Sequence, residues 1–462
     1  MTAGSSTAKR QVRTRYRAIA LAAVLGLAAA VLAACGSSTG ATMNGKPLLT
    51  WYINPDPTPP TGFSGPFGQA GIAARCSTDK YTITTQTLPQ DATQQRVQLE
   101  RRLEAHDSSI DLMSLDPAYT AEFAFAGLLA PISKRAAKTF SRGVLPGAVS
   151  GASYSGKLVA VPLWANVQSL WYRKSVAKKA GLDMSKPVTW DQIINAAVSA
   201  HRTVGVQANK YEGYVVWINA LIKGAGGNIV SKISKGRDAK IDINSAAGKR
   251  AAAIVGKLAR SPAAAPDMSV SDEGTSSTEF LPVMNGDTVI SDIGAFQVNW
   301  TFIYTSIQGT IASGLLPKNF MSDVGWTTYP ESVAGKPAKP PVGGINIGIS
   351  AYSNYPKLAT EATKCITSQS EQIRYAIETG NMPAKSAAYD SKALKKVYPV
   401  SLLALFRKSL KDAGPRPASP YWSEIVGAIL SEWHPPNAVN PSSTPASSAN
   451  FIGQVLHGDV LL

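Results

Sequence analysis

Hydrophobic and polar positions along this chain fall into blocks whose period switches between about two and about 3.6 residues, the signatures of strands and helices. The first block has neither period. From Ala18 an uncharged apolar run extends to Cys35, behind Lys9, Arg10, Arg13, Arg15 and Arg17 and no acidic residue. It is too short for a membrane span and has the layout of a secretory leader. After a small, polar stretch at 36–46, residues 48–53 read as a short strand, 54–68 as a loop rich in Pro and Gly, 67–76 as a helix and 81–87 as a second strand. Residues 94–105 place Val97, Leu99 and Leu103 among Arg and Glu, the pattern of a surface helix. Residues 110–115 form a buried strand ending at Asp116, before a helical stretch at 118–126. Strands alternating with helices predict an α/β lobe with a mainly parallel sheet, whose binding crevice lies at the carboxyl ends of its strands, where Asp116 falls. Asp116 is equally suited to capping the helix that follows. Beyond Ser350 the pattern is helical as far as Trp433, with breaks at Pro383 and between Pro415 and Pro420. Residues 434–450 read as a connector rich in Pro and Ser, and 451–462 as a last helix.

Composition narrows the class. At 462 residues the chain exceeds the size at which one core stops growing, so two lobes are expected. Hydrophobic residues at 44% and charged residues at 16% fit a globular protein rather than a disordered or membrane-embedded one. Removing the five leader charges takes the formal net charge from +16 to +11. The remaining cations are scattered, and the densest pairs, Lys178-Lys179 and Lys395-Lys396, are not interleaved with aromatics, so no nucleic-acid surface is read. The match to Gly-x-Ser-x-Gly at Gly36–Gly40 lacks the apolar flanks that a nucleophile elbow needs. The four histidines, His106, His201, His434 and His457, have neither triad nor metal-ligand spacing. No catalytic residue, metal site or cofactor is therefore assigned.

Leu32-Ala33-Ala34-Cys35, followed by Gly36, resembles the lipobox of bacterial lipoproteins. The resemblance implies acylation at Cys35, a signal peptide over 1–34, and a protein tethered to the outer face of the cell membrane. It leaves Cys76 and Cys365 as an even pair in an oxidising compartment, either a disulfide or two free buried thiols.

Four further segments carry a second resemblance. They are Gly156 to Arg173, with Pro162, Trp164, Asn166 and Gln168; Met284-Asn285-Gly286-Asp287 through Gly294 to Trp300; Pro341 to Ser350, with Gly343 and Gly344; and Thr379-Gly380-Asn381-Met382-Pro383-Ala384. In this order they resemble the family 1 extracellular solute-binding proteins, the maltose-binding-like receptors of ABC importers. A closer likeness within that family, through Gln95-Arg96, Leu115-Asp116, Asn166, Gln207 to Gly213, Val298-Asn299-Trp300 and Arg416 to Pro420, is to actinobacterial trehalose-binding lipoproteins. The resemblance implies a two-lobe periplasmic-binding-protein-like α/β fold with crossing hinge strands. It divides the chain into a stalk at 35–46, a first lobe at 47–163, a second lobe at 164–293, a return to the first lobe at 294–342 and the rest of the second lobe at 343–462. It implies a disaccharide ligand, permease subunits as partners, and a monomer.

A sugar presents C–H ring faces and a rim of hydroxyls, so its site needs an aromatic plate and fixed polar groups. Carboxylates only accept hydrogen bonds, Arg only donates, and Asn does both. On that chemistry Asp116, Asn166, Glu212, Glu273 and Arg416 are candidates for hydroxyls, Trp300 for stacking, Gly344 for close backbone approach, and Gln95 for a peripheral contact. Glu279 is the alternative to Glu273. A secreted glycoside hydrolase, built on two of these carboxylates, and a receptor for a non-sugar solute are the competing readings.

Overall fold

The computed structural model describes residues 40–59 and 63–462. The leader at 1–34 and Cys35 lie outside the described residues. The described part of the expected stalk is ordered: Thr42–Met43 pairs with Lys46 and Pro47 across a turn at Asn44 and Gly45, both with positive φ. An Asn-Gly pair is the favoured two-residue hairpin turn, and this local signal overrides the small-residue composition.

Two sheets organise the molecule. The first contains Thr42–Met43, Lys46–Ile53, Leu112–Leu115, Val342–Ile349 and Val161–Val167 in that spatial order, with Thr82–Thr87 also paired to Lys46–Ile53. It is mixed rather than mainly parallel. Lys46–Ile53 runs parallel to Thr82–Thr87 and Leu112–Leu115, whereas Val342–Ile349 is antiparallel to both of its neighbours. Alternation along Lys46–Ile53 sends Leu49, Trp51 and Ile53 to one face and Tyr52 to the other. On the first face Ile72, Ala73 and Cys76 of helix Gly68–Cys76 pack with Ala359, Ala362 and Ile366 of helix Pro356–Ile366. Cys76 and Cys365 join these two helices as a disulfide, with Cα atoms 5.7 Å apart.

The second sheet has the order Val324–Thr327, Ser169–Arg173, Gly294–Asn299, Thr203–Gly205. It shares its core with helix Glu212–Gly224, which is buried on nearly every residue, the mark of a core helix rather than a surface one. Helices Trp190–Ser199, Ala246–Ala259, Trp422–Trp433 and Thr444–His457 complete this lobe, with Trp190 and Trp217 at 5.4 Å in its centre. Helix Trp190–Ser199 starts on a capping box between Thr189 and Gln192. The last helix begins earlier than the sequence predicted because Pro445 sits at its start, where its missing N–H is no loss.

Sheet membership corrects the expected division of the chain. Gly294–Asn299 pairs with Ser169–Arg173, so the stretch 294–327 stays in the second lobe instead of returning to the first. Val342–Ile349 then enters the first sheet, and helices Pro356–Ile366 and Gln369–Thr379 pack on that lobe rather than the second. Met284–Asp287, part of the second segment that carries the family resemblance, belongs to a separate hairpin, Val283–Asn285 with Thr288–Ser291, turning at Gly286 and Asp287. The chain crosses between lobes at Gln168, between 327 and 342, and again before Trp422. Trp171, Val167 and Ala165 of the first crossing share a cluster with helices Ile303–Ala312 and Val400–Asp412.

Candidate functional site

The first-sheet strand Leu112–Leu115 delivers Asp116 at its carboxyl end, where its Oδ1 accepts from the Ala118 amide at 2.8 Å. Glu212 is the first residue of the second lobe's central helix. Arg416 belongs to neither sheet; it comes from the proline-bounded segment between Val400–Asp412 and Trp422–Trp433. Its guanidinium joins the lobes. Nη1 donates to Glu212 Oε1 at 2.7 Å, and Nη2 donates to Asp116 Oδ1 at 2.9 Å and to the Val342 carbonyl at 3.4 Å. Burial alone works against the charge on Arg416, and the two carboxylates outweigh it, raising the guanidinium above its usual value. Burial pushes Glu212 up more than Arg416 lowers it, with repulsion from Asp116 added.

Glu273 opens helix Glu273–Glu279 and lies near enough to Glu212 to feel its charge. Its carboxyl is raised to about 7, chiefly by burial, with Asp272 and Glu212 adding to the rise. The buried Tyr211 hydroxyl stands beside it without closing a well-formed hydrogen bond. Tyr211 was not among the candidates, yet its neighbour carries the signal: a Cβ on Gly213 would lie 2.2 Å from the Tyr211 ring, so the ring position requires glycine there. Glu279 is also raised to about 7, but it bonds Ser271 and its charged neighbours are Asp267 and Asp272, away from Glu212.

Seven of the nine tryptophans are buried in the cores, and only Trp300 and Trp326 keep partial exposure. Trp326 lies against Trp171, whereas Trp300, partly exposed, lies over the strand that carries Gly343. Its ring covers Gly343, where a Cβ would come within 2.9 Å of Cη2. Gly343, not Gly344, thus gives close approach on this side. Gly344 has φ +130° and a Cβ there would strike the Trp164 carbonyl at 2.2 Å, so it is glycine for the neighbouring strand.

Asn166 and Gln95 have hydrogen-bond partners within the protein. Asn166 Nδ2 donates to Asn381 at 2.7 Å, and its Oδ1 accepts from Thr301 and from the Met382 amide at 3.0 Å each, so it fastens strand Val161–Val167 to the segments after Asn299 and after Thr379. Gln95 donates to the carbonyls of Pro89 and Gln90 and closes its own loop. A second polar chain, Gln168 to Gln207 to Asn299, lines the same hinge and holds the Trp300 amide through Asn299 Oδ1 at 2.8 Å.

A cavity of about 320 Å³ opens beside Arg416 and reaches Ala118, Gly343, Lys223 and Lys232. Glu212 and Trp300 do not line it, but each touches a residue that does, Arg416 and Gly343. Among the described residues no group of His, Cys, Asp and Glu is arranged to hold a metal ion, and no helix is long and apolar enough to cross a membrane. The arrangement combines an aromatic plate, two acceptors on opposite lobes and one forked donor between them.

A profile of the bacterial extracellular solute-binding protein family matches residues 77–373. A probable ABC transporter-binding protein of Deinococcus radiodurans is 25% identical over 334 residues, 69% of this chain and 72% of its own length. The mannitol-binding protein of Pseudomonas aeruginosa is 29% identical over 107 residues, 23% of this chain and 24% of that one. Among solved structures, maltose-bound MalE3 of T. maritima superimposes with TM-score 0.71 at 21% identity, covering 89% of this chain and 100% of that one. The acarbose receptor GacH of Streptomyces glaucescens superimposes with TM-score 0.69 at 19% identity, covering 89% and 98%. These likenesses show the two-lobe fold.

Proposed function

The chain belongs to the bacterial extracellular solute-binding proteins, and from that premise we propose that it captures a sugar or polyol between its lobes for the membrane subunits of an ABC importer. It is not an enzyme: its fold and relatives are those of non-catalytic receptors, which sets aside the hydrolase reading.

The observation that carries the proposal is Arg416 held between Asp116 of one lobe and Glu212 of the other, at 2.9 and 2.7 Å. A hydroxyl both donates and accepts, so a sugar rim entering here donates to the carboxylates while accepting from the guanidinium. Charge-assisted bonds of this kind contribute roughly 1.5 to 3 kcal/mol each. Trp300 supplies the plate for a ring face, and Glu273, uncharged near neutral pH more often than an ordinary carboxyl, is able to donate as well as accept. The relatives named above bind maltose, acarbose and mannitol, which supports a hydroxyl-rich ligand. The sequence resemblance to the trehalose-binding lipoprotein LpqY favours trehalose or a related α-linked disaccharide. The lipobox reading adds a tether through Cys35, which a Cys35→Ala variant released into the medium and unlabelled by palmitate would bear out.

Calorimetric titration with trehalose, maltose and mannitol tests the receptor reading. Heat of binding with one or more, together with a smaller radius of gyration on ligand addition, is the expected result. No heat with any saccharide or polyol overturns it.

A further inference from the structure

The cavity beside Arg416 is electrostatically one-sided. Its lining includes three cations, Lys223, Lys232 and Arg416, and no carboxylate. Arg416 is already satisfied, because Asp116 and Glu212 take both of its terminal nitrogens. Lys223 is not, whereas Lys232 lies near enough to Asp242 to help hold that carboxyl below its usual value. Among the described residues neither Lys223 nor Lys232 takes part in an ion pair. Lys223 emerges from the second lobe's central helix and donates only to the neutral Asn228 side chain, at 2.7 Å.

A second lysine presses on the first. The Cβ atoms of Lys223 and Lys339 lie on either side of Gly414, 3.2 and 3.0 Å from where its own Cβ would stand. Burial lowers the affinity of Lys223 for its proton, and the charge on Lys339 lowers it further. A half-buried ammonium without a counter-ion, beside a like charge, is costly unless something negative enters. The cavity faces that ammonium and has room for a substituent on a bound sugar.

We propose that this cavity is a subsite for an anionic group carried by the captured saccharide, a phosphate or a carboxylate, with Lys223 and Lys232 as its recognition residues. The inference rests on the sugar-receptor reading and narrows its substrate class. Hydroxyls are met at Asp116, Glu212 and Arg416, where one guanidinium stands between two carboxyl groups, and the charged substituent is met at the lysine end. An ammonium recognises either anion as a point charge, so phosphate and carboxylate are both accepted in principle.

The test is calorimetric titration of the full chain with trehalose, trehalose 6-phosphate and a glucuronic-acid-bearing disaccharide, at 50 mM and 500 mM salt, using the natural protein, Lys223→Gln and Lys232→Gln. The expected result is at least tenfold tighter binding of one or both acidic sugars than of trehalose at low salt. That preference shrinks at high salt and falls in each lysine variant, while trehalose affinity is retained. Which acidic sugar gains identifies the anion. Lys232 is exposed, so its variant remains informative if Lys223→Gln folds poorly. Equal or weaker binding of both acidic sugars, or a preference that survives both substitutions, overturns the subsite while leaving the receptor reading intact. Absence of binding by all three sugars, and by the neutral panel above, overturns both.

Discussion

At the scale of single residues, Arg416 and Trp300 test the scaffold and the proposed recognition site separately. Replacing Arg416 by Met leaves Glu212 buried beside Asp116 with no compensating charge, and loss of one member of a buried ion pair costs roughly 3 to 5 kcal/mol. Urea unfolding of Arg416→Met is expected to show a loss of that size, and a change below about 1 kcal/mol would refute the buried-pair account. Trp300 is partly exposed and packs over a glycine, so Trp300→Ala is expected to weaken sugar binding by about 2 kcal/mol, roughly thirtyfold in Kd. An unchanged Kd would assign the ring to packing alone. The sequence nominated these types of group because a hydroxyl rim would call for carboxylates, Arg and an indole. Their partnership was not legible there. Arg416 and Asp116 are separated by 300 positions, and nothing local to Pro415-Arg416-Pro417 indicates which carboxylates it meets. Two adjacent glycines were equally unreadable: φ and the neighbouring strand decide that Gly344 serves Trp164 while Gly343 serves Trp300.

At the scale of elements, periodicity found strands and helices but not the sheet each strand joins. Ala295, Phe296 and Val298 make Gly294–Asn299 apolar enough for either lobe, and only its pairing with Ser169–Arg173 places it in the second. The lobes also touch through helix ends. Glu122 Oε1, on helix Thr120–Phe125, accepts from Arg96 at 2.8 Å and from Ser423 of helix Trp422–Trp433 at 2.9 Å. Burial raises Glu122 to about 7 against the pull of Arg96, with Glu100 and Glu424 adding repulsion. A carboxyl raised in the folded state binds its proton more tightly there than in the unfolded chain. Its stabilising contribution is complete below the ordinary carboxyl value and disappears as pH rises through about 7. Glu273 and Glu279, also raised to about 7, act in the same direction. Thermal melts of the ligand-free protein are therefore expected to show a lower Tm at pH 8 than at pH 5.5, with a shallower fall in Glu122→Gln. A Tm that rises across this interval would contradict the assignment.

For the whole molecule, two lobes were foreseeable from length and from alternating element types, but the order in which the chain visits them was not. A lobe is defined by pairing between distant segments, and the first one is assembled from 42–167 together with 342–379. The Cys76–Cys365 bond fastens those two portions across 289 positions of sequence. Removing it by Cys76→Ala with Cys365→Ala is expected to cost roughly 2 to 5 kcal/mol in denaturant unfolding. An undiminished midpoint would mean that packing of the two helices alone suffices. The same bond has a consequence for damage. A protease that cuts once anywhere from 77 to 364, including the long connection ahead of Val342, leaves two pieces that still migrate together on a non-reducing gel and separate only after thiol treatment. A receptor clipped in its second lobe therefore sheds neither half of its first.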